Sequence, residues 1–258
     1  MEVAAAKFRR LEAEKIIETV KELHHRIEER FPGSGLGKVI GELQQVAEET
    51  VERTRWIQQP HLLLRFVAAV LSLGIVVLLT FLVAHVKQFN FDDFTNSVQA
   101  LDSSIGSVVF VGAAILFFLN WEHRIKRDRA LKAIHELRAL AHIVDMHQLT
   151  KDPESYAGQG QHTGRGRKRA MSPFELNRYL DYCSDALALI SKIAALYVQG
   201  FQDPVLLDAV DDVEDLTAGF SRKIWQKITI LENLRRALHG GQALESTGRS
   251  RKEDLDTE

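Results

Sequence analysis

The chain has 258 residues, 45% of them hydrophobic, and a formal net charge of −2. Near-neutral charge removes the electrostatic footprint of a nucleic-acid binder. A single cysteine, Cys183, excludes an internal disulfide framework and suits a reducing compartment.

The opening MEVAAAKFRRLEAEK has no apolar signal core, so insertion into a membrane would start from an internal segment. Residues 3–30 have a helical period, with Ile16, Val20, Leu23 and Ile27 as the apolar stripe. So narrow a stripe suits packing on another helix. His24 and His25 are adjacent, hence about 100° apart on a helix, and are poor joint ligands for one metal. FPGSGLGK follows at 31–38. Pro32 stands where a phosphate loop needs its first glycine, and Val39 replaces the hydroxyl that would hold magnesium. It reads as a helix-breaking turn, with Ser34 or Gly35 opening the next helix. That helix covers 36–58, with Ile40, Leu43, Val46 or Ala47, Val51 and Thr54 inward. It folds back on the first and ends before Pro60.

Residues 66–84, FVAAVLSLGIVVLLTFLVA, carry no charge. As a helix they extend about 28 Å, close to the hydrocarbon thickness of a bilayer. A second uncharged run, SIGSVVFVGAAILFFLNW at 104–121, ends at Glu122. Together they predict a two-span transmembrane hairpin over 61–122 with a short outer loop at 87–103. Gly74, Gly106 and Gly112 are candidate packing positions, because small residues let helices approach closely in lipid. Arg53, Arg55 and Arg65 flank the first span. Arg124, Lys126, Arg127, Arg129 and Lys132 follow the second, and the outer loop sets Lys87 against Asp92, Asp93 and Asp102. Basic flanks favour the cytoplasm, so both termini are expected there, with Trp56 and Trp121 in the cytoplasmic aromatic belt. Phe94, Val98, Leu101 and Ile105 continue a helical stripe from the loop into the second span.

Residues 122–150 read as a long helix with Leu131, Ile134, Leu137, Ala141 and Val144 buried. A polar face runs beside this stripe: His135, Arg138, His142 and Asp145. His142 and Asp145, at i and i+3, have the reach of shared metal ligands, whereas His147 lies about 140° from His142. Arg138 on the same face argues against a cation and for an ion pair with Asp145 or an anion. The face reads first as a structural polar network, so no catalytic, cofactor or metal residue is assigned. The segment 151–171 has Pro153 and four glycines and reads as a flexible loop. Its basic end, Arg165, Arg167, Lys168 and Arg169, is a candidate contact for anionic lipid. No aromatic residues interleave these charges, which gives RNA binding little support.

Ser172-Pro173-Phe174-Glu175 is a helix start with hydroxyl cap, Pro at the first position and Glu at the third. The helix should run to about Gln199. Leu176, Leu180, Cys183, Leu187, Ile190, Ala194 and Tyr197 alternate spacings of four and three, a heptad seam. Cys183 sits in that seam, so it is a core residue before it is a nucleophile. Asp203-Pro204 repeats the start signal for a helix ending near Gly240, with a possible bend at Gly219. Leu206, Val210, Val213, Phe220, Ile224, Ile228, Leu231 and Leu238 line its inner side. Asp208, Asp211, Asp212, Glu214 and Asp215 crowd its first half without the spacing of a calcium loop. Residues 241–258 are polar and expected to be disordered.

These elements predict an all-α membrane protein. An N-terminal hairpin (1–60) and a C-terminal helical set (123–240) form one cytoplasmic bundle, carried by a transmembrane hairpin in a plasma membrane of bacterial type. The expected function is a non-enzymatic scaffold that assembles through its coiled-coil-like helices with copies of itself or with another helical protein. Nucleic acid is not an expected partner. Two alternatives stand beside this reading. One is an oligomeric pore gated by the bundle, against which neither span has a polar stripe to wet a channel. The other is a metal-dependent membrane enzyme using His135, His142, Asp145 and His147. The layout is similar to the two-span helical modules of bacterial nucleotide-signalled defence effectors, the SLATT group. The similarity is one of arrangement, without a shared motif, and implies the pore.

Overall fold

A computed structural model describes residues 10–59, 62–86, 94–151 and 171–255. Every element among them is a helix: α1 (Ala13–Arg30), α2 (Gly35–Gln58), α3 (Leu62–Val86), α4 (Phe94–Leu149), α5 (Pro173–Val198) and α6 (Pro204–Leu255). The chain divides into two compact units, one of residues 1–54 with 133–258 and one of residues 55–132.

In the first unit the expected stripe of α1, Ile16, Val20, Leu23 and Ile27, is buried. The turn after it works as its residues dictate. Gly33 adopts a φ of +65°, a left-handed conformation that glycine takes without strain, and its N–H donates to Glu28 Oε2 at 3.1 Å. Ser34 Oγ accepts from the Gly37 N–H at 3.0 Å and so caps α2. Lys21 pairs with Glu48 at 2.9 Å, and His24 Nδ1 hydrogen-bonds Gln44 Oε1 at 3.2 Å, so α1 and α2 form the expected hairpin. Along α2, Leu36, Ile40, Leu43, Val46, Ala47 and Thr50 are buried, while Val51 and Thr54 are half-buried.

The start of α5 is a complete capping box. Ser172 Oγ accepts from the Glu175 N–H at 3.2 Å, and Glu175 Oε2 accepts from the Ser172 N–H at 2.7 Å. All seven seam residues of α5 are buried, but so are Tyr179, Tyr182, Ala186, Leu189, Ile193 and Leu196. The narrow heptad seam therefore understates the helix. A seam of that width covers one partner, whereas α5 packs against both α1 and α6 and is the centre of this unit. Asp203 Oδ1 accepts from the N–H groups of Val205 (3.0 Å) and Leu206 (3.1 Å) and caps α6. Leu206, Val210, Val213, Phe220, Ile224, Ile228 and Leu231 are buried on α6 as expected, with Thr217 filling the gap between two of them.

Four expected boundaries move. The first helix begins at Ala13 rather than at residue 3, with residues 10–12 outside it. The outer loop does not extend to 103, because α4 is helical from Phe94. The span at 104–121 and the helix at 122–150 are one helix, since no proline interrupts 94–149. Residues 241–255 are helical rather than disordered, because α6 runs through Gly240 and Gly241 to Leu255. Those two glycines cost about 1 kcal/mol each against alanine, and good helix formers such as Ala243, Leu244 and Glu245 follow them.

In the second unit the last turn of α2 packs on α4. Ile57 and Ala130 are buried there, and the Arg129 guanidinium lies 3.9 Å from the centre of the Trp56 ring. Lys126 Nζ donates to the Gln59 carbonyl at 2.8 Å, where α2 has run out of internal donors, and pairs with Glu122 at 2.8 Å. Both charged side chains are buried, so the pair replaces the water each loses. Among the described residues no helix is long and apolar enough to cross a membrane. The side chains of α3 at 62–65, 68, 78–79 and 82–86 lie outside that description.

Candidate functional site

The polar face of α4 was the sharpest chemical expectation, and its members go to different partners. His135, Arg138 and His142 are exposed and Asp145 is half-buried. Arg138 does not pair with Asp145. Its Nη1 lies 3.6 Å from Asp212 Oδ2 on α6, a pair that links two helices through exposed side chains. Asp145 Oδ1 instead accepts from Gln148 Nε2 at 2.6 Å, one turn along α4. The His142 ring stands edge-to-face on Phe220, centroids 5.5 Å apart, which fixes the imidazole as a packing group on α6. Among the described residues no three His, Cys, Asp or Glu side chains converge to hold a metal.

His147 points away from that face, as the helical angle requires, and reaches the start of α2. A Cβ built on Gly35 would lie 2.3 Å from its Cε1, so an added methyl requires the ring to shift. Burial, then the Lys151 charge, hold the His147 pKa below the ordinary histidine value. The end of α4 is closed by Lys227 of α6, whose Nζ donates to the Gln148 carbonyl (2.8 Å) and the Lys151 carbonyl (3.2 Å). Burial pushes the Cys183 thiol up to about 12, which keeps it a neutral, unreactive core group.

A polar network joins α2, α4 and α5, buried at Thr50 and Tyr197 and open to solvent at Glu136, and sequence reasoning missed it. Thr50 Oγ1 donates to the Val46 carbonyl at 2.7 Å and lies 3.2 Å from the Tyr197 hydroxyl. One turn on, Arg53 bridges Glu49 (2.7 Å) and Glu136 (2.6 Å). The available signal was position: Thr50 falls between Val46 and Thr54 on the inward stripe, and Tyr197 ends the seam of α5.

The second candidate surface is apolar. Phe66, Val70, Leu73, Val76, Val77 and Phe81 are exposed on α3, as are Val109, Phe110, Leu116, Phe117 and Trp121 on α4. Phe110 is 79% exposed and Phe66 67%, the reverse of how a water-facing protein treats phenylalanine. At Gly74, Gly106 and Gly112 an added Cβ would meet nothing within 4 Å among the described residues. The basic cluster Arg165, Arg167, Lys168 and Arg169 lies outside the described residues. Comparisons with protein-family models, curated proteins and solved structures find no match to this chain.

Proposed function

We propose that this chain is a membrane-anchored helical scaffold. Residues 66–84 and 104–121 cross the bilayer, both termini face the cytoplasm, and the helical bundle is the working part, without catalysis of its own. The observation that carries the reading is the run of exposed apolar side chains on α3 and the first half of α4. Leaving a side chain such as Leu or Phe in water forfeits roughly 1.5–3 kcal/mol that burial would return, and here many are left together. Contiguous apolar surface of this kind marks a membrane or a protein interface. The uncharged sequence of 66–84 and the length of α3, 25 residues or about 37 Å, favour lipid.

The scaffold reading draws its support from what the bundle contains. Three of its titratable groups, His142, Lys227 and Cys183, are engaged in packing and helix capping. Its surface keeps exposed apolar residues, Phe174, Val205, Leu207, Trp225 and Ile230, for association with a second copy or another helical protein.

The test is the mass of the full chain in nanodiscs, with metal analysis of the same sample. A metal-free dimer or small oligomer is expected. A ring of many subunits that conducts ions would replace the scaffold with a pore. Stoichiometric metal lost in H142A would replace it with an enzyme.

A further inference from the structure

Over residues 205–231 the charges of α6 are sorted by sign. Asp208, Asp211, Asp212, Glu214 and Asp215 precede Ala218, and Arg222, Lys223 and Lys227 follow it. The helix dipole does not account for this, because its effect fades within the first and last turn. Asp211, Glu214 and Asp215 stand about two to three turns inside the start at Pro204, and Arg222 stands about nine turns before the end at Leu255. Ion pairs along the helix do not account for it either. Sorting by sign sets like charges at i and i+4, Asp208 with Asp212 and Asp211 with Asp215, which destabilises a lone helix. Of the five acids only Asp212 is paired among the described residues, with Arg138 of α4 at 3.6 Å.

One face of α6 carries the pattern in exposed side chains. Leu207, Asp211, Glu214, Ala218, Arg222 and Trp225 are all exposed and follow one another at spacings of four, three, four, four and three. At about 100° per residue they lie within about 40° of Ala218, whereas Leu206 and Ile224 of the buried stripe point about 120° away. The face is symmetric about Ala218. Glu214 and Arg222 stand four residues either side of it, and Asp211 and Trp225 seven. The small central side chain lets a second helix axis come close. The complement of this face is the same face turned end for end, which is the property of an isologous, two-fold interface. A parallel pair would set acid against acid, and an unrelated helix would require no symmetry about one residue.

Resting on the scaffold reading above, we propose that α6 pairs antiparallel with α6 of a second copy, about a two-fold axis at Ala218. Glu214 of each copy meets Arg222 of the other, so the ion pair occurs twice. Trp225, 60% exposed, comes to the level of Asp211 of the other copy, one turn from its Leu207, and the indole covers that leucine. The apolar contacts at the two ends hold the pair, and the sorted charges set its direction and register.

The test is sedimentation equilibrium of the full chain in density-matched detergent, where either relative direction is free. The wild type is expected to be a dimer. D211K/E214K and R222E should each weaken it about tenfold or more, because every cross-pair turns from attraction to repulsion in both halves of the interface. Mixed one to one, the two variants should dimerise as the wild type does. In the mixture the reversed acids of one copy meet the reversed arginine of the other, and the unaltered halves meet each other. That recovery also shows that both variants are folded. K38E changes the net charge as R222E does, at an exposed position on α2, and should leave the dimer intact. Dimers of unchanged strength in both α6 variants would overturn this pairing and leave the scaffold reading standing, with association elsewhere. Absence of recovery in the mixture would overturn the antiparallel arrangement. A monomeric wild type would overturn the pairing and self-assembly together.

Discussion

At the residue scale the bundle is held by a few buried groups whose removal has definite costs. Ile190 lies fully buried on the central helix α5, so I190A should lose about 2–5 kcal/mol in chemical denaturation, the range for a large-to-small change in a core. Y197F removes the hydroxyl's contacts with Thr50 and Arg53, which keep their bonds to the Val46 carbonyl and to Glu49 and Glu136, and should cost about 1 kcal/mol. Two groups set opposite pH dependences. Burial holds the folded His147 pKa below its unfolded value of about 6.5. The folded state then binds fewer protons, so this contribution is intact above that value and is lost as pH falls through the lower folded pKa. Asp181 runs the other way. Burial, then the charges of Asp185 and Glu232, outweigh Arg178 and raise its pKa, so its contribution is present in acid and is lost as pH rises through the folded value. H147Q should flatten the stability profile below about pH 6.5. D181N should stabilise the neutral protein, with the gain shrinking as pH falls through the carboxylate range; a gain independent of pH would refute that assignment.

At the element scale the helix starts are the most local features and were the most legible. Ser172 with Glu175, Asp203 before Pro204, and Ser34 after Gly33 all cap as their spacing dictates, because a cap needs only neighbours within one turn. S172A should therefore cost about 1 kcal/mol. The inward stripes of α1, α5 and α6 were legible for the same reason, since helical period alone fixes which residues share a face. Features that need two helices at once were not legible. The choice of Asp212 over Asp145 by Arg138, the burial of α5 on most sides, and the Thr50–Tyr197 contact depend on where a second element lies. The His147–Gly35 contact is of that kind and yields a coupled test. G35A should destabilise, by about 1–3 kcal/mol if the ring cannot move, although alanine is the better helix former. In an H147A background the same change should be neutral or stabilising. Equal effects in both backgrounds would mean that the ring does not press on α2.

At the scale of the whole molecule the composition average hid the decisive contrast. An overall hydrophobic fraction of 45% is ordinary for a globular chain, yet the apolar residues are distributed in two different ways. Among the described residues of 1–54 with 133–258 they are largely turned inward, on stripes bounded by charge, whereas on α3 and the first half of α4 many point out. That contrast is why the proposed scaffold has an anchor and a bundle, and it is the central claim of this account. The most direct test is extraction of membranes from cells making the full chain, first with high salt and then with alkaline carbonate. Retention of the chain in the pellet through both washes, with release only by detergent, is predicted. Release by carbonate would contradict the account, because it would mean that the exposed side chains of α3 and α4 cover a protein partner rather than meet lipid.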